Sequence, residues 1–159
     1  MDLQYQLSLK KSIMKRIFLL TSILFYTFNY ATAQGNFSIK IYAGSNAPWG
    51  ESQFVSIDPK GVVKYDRSDV NTGIKDSLTF TITKAQLAQL HDAVNQVRFF
   101  TLNTVYNARS RDGTRLTVEV VAGGRTHRVS WLNIHTRETA LILSRLNAIF
   151  RGRGITIQY

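Results

Sequence analysis

Cysteine is absent from all 159 residues. That removes disulfides, thiolate nucleophiles and cysteine-based zinc sites at once, so the fold has to be held by packing alone. Acidic residues are scarce, ten against twenty Lys and Arg, and the formal net charge is +10. No Gly-x-Ser-x-Gly elbow, P-loop or His-Glu-x-x-His occurs, so the usual signatures of serine hydrolases, nucleotide hydrolases and zinc peptidases are missing. No linker or repeat divides the chain.

Long apolar runs are missing as well. The longest, from Ile17 to about Phe28, is broken by Thr21, Ser22 and Thr27 and falls short of the roughly 18 residues of a spanning helix. Lys10, Lys11, Lys15 and Arg16 precede it and Ala31-Thr32-Ala33 follow. This is the order of a secretory signal, with cleavage expected between Ala33 and Gln34. Met14-Lys15-Arg16 makes a more ordinary basic region, so Met14 is an alternative start, and a buried N-terminal helix is the alternative to a signal. Residues 1–33 are therefore expected to be a cleaved signal peptide and 34–159 one globular domain, exported to the periplasm or secreted, with no membrane span after cleavage.

What is present is an uneven distribution of charge. From Gln34 to Val97 five Lys and one Arg face six acids, whereas from Arg98 onward ten Arg face only Asp112, Glu119 and Glu138. Arginine's planar fork suits carboxylates and phosphates, so an acidic partner is conceivable, although a solvated basic surface accounts for the same numbers.

Hydrophobic periodicity supplies the scaffold. Residues 37–43 alternate Phe37, Ile39 and Ile41 against Ser38, Lys40 and Tyr42; 53–66 reads as two strands around Asp58-Pro59-Lys60-Gly61; 77–82 alternates again. Thr83 with Gln86 forms a capping box, Ile82 and Leu87 a hydrophobic staple, and Leu87, Leu90, Val94 and Val97 a buried stripe. The aromatic stretch 96–107 follows and is expected to close the core rather than bind a ligand. In 114–132 a Gly123-Gly124 turn pairs Val120 with His127, Val118 with Val129 and Leu116 with Trp131, and Glu119 with Arg128 on the opposite face. A helix from Thr136 is expected to stop at Gly152, with 154–159 a short strand or tail. Strands, helix, hairpin and helix make an α+β fold: an antiparallel sheet of about five or six strands with two helices on one face.

Candidate chemistry is thin. His91, His127 and His135 have no metal-ligand spacing, and the acids around residues 66–76 are turn residues. No catalytic, cofactor or metal site is expected. Trp49, between Pro48 and Gly50 in a long polar loop, is either folded back on the core or held out for a partner. Candidate partner-binding residues are Pro48, Trp49, Arg109, Arg111, Arg125 and Arg128.

The runs 54–66, 78–106 and 112–131 resemble a family of small exported bacterial domains without assigned function, built as a strand pair ending in Tyr, a Thr-x-x-Gln-Leu helix, a Phe-Phe-x-Leu exit and a Thr-rich hairpin with a Gly turn. The outline is also similar to emfourin-type inhibitors of thermolysin-like metallopeptidases. Many of the uncharacterised members carry Cys-x-Gly-x-Cys-Pro before the first hairpin; here that stretch keeps Pro48 but no cysteine, so no redox or metal role is implied. The expectation is a non-catalytic exported binding module, as a peptidase inhibitor or a cell-envelope interaction protein, whose partner is a protein or an acidic envelope component rather than nucleic acid. The alternative is a small hydrolase-like enzyme using His127 or His135.

Overall fold

The computed structural model describes residues 36–45, 50–108 and 113–159. The expected signal segment with its Ala33–Gln34 junction, and Pro48, Trp49, Arg109 and Arg111, lie outside the described residues.

Period-two alternation becomes one sheet of seven strands: β1 (Ser38–Ser45), β2 (Glu51–Ile57), β3 (Val62–Asp69), β4 (Ile74–Thr81), β5 (Val105–Asn107), β6 (Thr114–Ala122) and β7 (Arg125–Leu132). Their spatial order is β4-β3-β2-β1-β6-β7-β5. The first strand is thus central, antiparallel to β2 on one side and β6 on the other. Helix α1 (Lys84–Gln96) leaves from the β4 edge, and helix α2 (Arg137–Phe150) follows β7. The α+β class holds, but the sheet is larger than expected and mixed, because β5 runs parallel to β7. The reason is topological: β7 inserts between β5 and β6, which run in opposite directions, so it must be parallel to one of them. A three-residue strand is also too short to show a period.

α1 carries the chain from one edge of the sheet to the other. Its 13 residues span about 20 Å, whereas six inter-strand spacings span about 29 Å. The 3-10 turn Phe99–Thr101 and its flanks cover the remainder. Both helices bury their stripes on the same side: Leu87, Leu90 and Val94 from α1 and Ile142, Leu143, Leu146 and Phe150 from α2 join Ile39, Ile41, Val55, Val118 and Val129 in one core. The Thr83–Gln86 capping box forms as expected, and α2 has its own in Thr136–Thr139. The staple residues Ile82 and Leu87 are both buried.

The aromatic stretch does close the core. Phe99 is fully buried, edge-on to Phe100 and beside Trp131, while Tyr106 stacks on Trp131 at 5.8 Å between ring centroids. Phe100 is only partly buried, and Val105 is 57% exposed. Gly123 and Gly124 both take positive φ, 56° and 74°, and the β6–β7 register matches every pair expected from that turn.

At the C-terminal end one feature differs from expectation, and residues 154–159 take the second of their two expected forms, a tail. α2 passes into a 3-10 turn, Arg151–Arg153, and the left-handed residue that ends it is Gly154 (φ 68°), not Gly152. The last residues are extended but join no strand. They lie on the helix-covered side of the sheet with Ile155 and Ile157 buried, held by two side-chain amides, Gln53 and Asn147. Among the described residues no helix is long and apolar enough to cross a membrane.

Candidate functional site

Alternation that buries one side of each strand points the other side away from both helices. Register then decides what meets there. Ser77 (β4), Asp66 (β3), Phe54 (β2), Tyr42 (β1), Thr117 (β6) and Ser130 (β7) are successive partners and form one row across the sheet. Tyr42 and Phe54 are direct partners at its centre and are each 38% exposed. Two large aromatic side chains side by side on the face turned away from both helices form an apolar platform inside a polar surround.

One row further along, Lys40, Glu119 and Arg128 are partners on β1, β6 and β7. Lys40 Nζ lies 3.2 Å from Glu119 Oε1, and the Arg128 guanidinium donates to Oε2, with Nε at 2.9 Å. The Arg128 hydrogen bond first, and that of Lys40 second, hold the Glu119 carboxyl below the usual carboxylate range. Lys64, Lys75 and Arg115 are the other cations on this face by register. With Asp66 and Glu119 as its carboxylates, the face carries five cations against two acids among the described strand residues.

Beside Phe54 the face dips into a hollow of about 280 Å³, lined by Ser52, Asp66, Ser68, Lys75 and Ser77 together with Arg67 and Asp76. Its polar groups are mutually ordered: Ser77 Oγ donates to Asp66 Oδ1 at 2.7 Å, and the hydroxyls of Ser52 and Ser68 are 2.8 Å apart. A second hollow, about 350 Å³, lies where the ends of β1 and β2 meet the C-terminal residues. Its Glu51 is already engaged, by Gln53 Nε2 at 2.9 Å and by the Arg67 guanidinium, whose Nη2 donates at 3.0 Å.

Of the expected partner-binding residues, two fall in the described residues, and they lie on opposite faces. Arg128 belongs to the open face. Arg125 pairs with buried Ala122 and lies over the Phe100 ring, 4.4 Å from its centroid, on the helix side. The histidines are scattered. His91 meets Phe37 edge-on, His127 Nε2 is 3.0 Å from the Leu102 carbonyl oxygen, and His135 lies against Tyr159. Among the described residues no three of His, Asp and Glu gather as a metal site would require.

Sequence reasoning did not single out Tyr42, Phe54, Lys40, Lys64 or Lys75. Alternation was a usable signal for the residues of β1 to β3, whereas Lys75 falls in the stretch 67–76 read as a loop, which the structure shows to hold the end of β3 and the start of β4. That these residues lie side by side depends on the register in which the consecutive strands β1 to β4 pair, and of their connections only the Asp58–Gly61 turn was legible as a hairpin.

No curated protein matches the chain. A family model described as a domain of unknown function, DUF6438, matches residues 51–149; nothing in these comparisons supports a relationship to emfourin-type inhibitors. The matched span holds β2 to β7, α1 and all but the last residue of α2. The chain therefore belongs to the DUF6438 family of domains of unknown function.

Proposed function

We propose that this chain is an exported, non-catalytic binding module that meets an acidic partner with the open face of its sheet. One observation carries the proposal: among the described residues five cations and two carboxylates surround a paired, exposed Tyr42–Phe54 platform on a face that neither helix covers. Positive potential over a flat surface steers an acidic partner, and the aromatic pair supplies contact area once it arrives. Export rests on the signal-like pattern of residues 10–33. The hydrolase alternative has less support, since His127 binds a backbone carbonyl and His135 an aromatic ring, with no carboxylate of the described residues among the contacts of either. A peptidase inhibitor would be one form of such a module, testable by adding the purified protein to metallopeptidase assays.

Photo-crosslinking groups placed at Tyr42, at Phe54 and, as a control on the helix side, at Arg145 test the face directly in the producing cell. Crosslinks from 42 and 54 that fade with added salt, and none from 145, are expected. Crosslinks from 145 alone would sink the proposal.

A further inference from the structure

We infer that the acidic partner is an anionic polysaccharide, a polyol chain carrying uronic-acid or comparable anionic groups at intervals; this rests on the open face being the binding surface. Three features point there. The Tyr42–Phe54 platform lies mid-sheet, with β3 and β4 between Phe54 and the nearer edge, whereas an extended peptide would add to the sheet by pairing along an edge strand. A sugar ring needs no edge: its C–H face is apolar and packs on the electron-rich face of an aromatic ring.

The hollow beside Phe54 also has the mixed chemistry that a polyol requires. Ser52, Ser68 and Ser77 supply hydroxyls that both donate and accept, Asp66 accepts, and Lys75 donates. Ser77 takes one of the acceptor positions on Asp66, and a carboxylate has several.

The placement of charge then separates a polysaccharide from a nucleic acid. A single strand carries a phosphate at every nucleotide and is bound along a continuous cationic track beside its stacking platform. Here Asp66 is the register partner of Phe54 itself, which would repel the phosphate of a base stacked there. Lys40 and Arg128 are spent on Glu119. Lys64, Lys75 and Arg115 stand at separate positions around the platform, an arrangement suited to carboxylates that recur sparsely along a chain. From Ser77 to Ser130 the row crosses five inter-strand spacings, about 24 Å, enough for several linked rings.

The test uses the full-length protein in affinity electrophoresis and calorimetry with polygalacturonate, alongside dextran, oligothymidylate and poly-glutamate. Phe54→Ala, Tyr42→Ala and Lys75→Gln change exposed side chains, and circular dichroism checks that each variant keeps the fold. Polygalacturonate should bind best, weakening about tenfold in Phe54→Ala. Lys75→Gln should flatten the salt dependence, and the Phe54 effect should persist when salt is raised to about 0.5 M, where exposed charges are screened. Equal or tighter binding of poly-glutamate or oligothymidylate would overturn the inference. So would polygalacturonate binding that ignores both aromatic substitutions, or no binding of polygalacturonate at all. If crosslinks from positions 42 and 54 persist while polygalacturonate fails, the polysaccharide falls and the binding face stands; if those crosslinks are also missing, both fall.

Discussion

Asn147 holds both backbone groups of Ile157: its Oδ1 accepts the Ile157 N–H at 2.8 Å and its Nδ2 donates to the Ile157 carbonyl at 3.1 Å. Gln53 does the same for the flanking residues, donating to the Thr156 carbonyl at 3.1 Å and accepting from the Gln158 N–H at 3.2 Å. The extended C-terminal residues thus have on each side an amide where a strand would otherwise be. Ile157 can then be buried without leaving its backbone unpaired.

Asn147→Leu should therefore cost about 1–3 kcal/mol, the range for stranding buried polar groups. Gln53→Leu should cost a similar amount. Both act on one short segment, so in urea titrations the double variant should lose less than the sum of the two. Strict additivity would show that the two clips hold independent segments.

Phe99 and Phe100 are neighbours with different roles. Phe99→Ala should destabilise by about 3–5 kcal/mol, as for a fully enclosed ring. Phe100 is partly open and lies beneath Arg125, so its truncation should cost clearly less. Equal losses in chemical denaturation would mean that the Phe100 ring is enclosed as well.

At Gly113 an alanine has no room. The residue takes φ 148°, and an added Cβ would fall 1.6 Å from Asn133 Oδ1, which accepts the Thr114 N–H at 2.8 Å. Gly73 also has positive φ, but a Cβ there meets nothing within 4 Å. Gly113→Ala should lower the melting temperature well beyond the effect of Gly73→Ala, whose cost is backbone strain alone. Matching shifts would mean that Asn133 moves aside freely.

Glu119 gives stability a pH dependence of known sign. Its pKa is lowered in the folded protein by Arg128 and Lys40, so its contribution is present above the ordinary unfolded value of about 4.3 and is lost as pH falls through the lower folded value. Wild type should be more stable than Glu119→Gln near neutral pH, and the gap should close on acidification into that window. A gap that stays constant down to about pH 2.5 would show that the carboxylate charge is not what stabilises.

What the sequence determined by itself was local. Thr83 and Gln86 specify a helix start because a cap and its partner lie three residues apart, and Gly123-Gly124 specify a hairpin because both residues must take positive φ; from that turn the pairing of Glu119 with Arg128 followed by counting. Tertiary structure decided the rest. β5 exists because Val105–Asn107 finds the free edge of β7, and the C-terminal residues stay out of the sheet because Gln53, distant in sequence on β2, and Asn147, ten residues before Ile157 on α2, take their hydrogen bonds. The open face has a mixed origin: Tyr42 and Phe54 stand in alternating runs like any others, the register of the consecutive strands β1 and β2 makes them direct partners, and only the distant pairing of β1 with β6 brings Arg115 and Arg128 to the same face. Periodicity reports which side of a strand is dry, whereas the order of strands in a sheet comes from contacts between distant segments, whose energy no single segment contains.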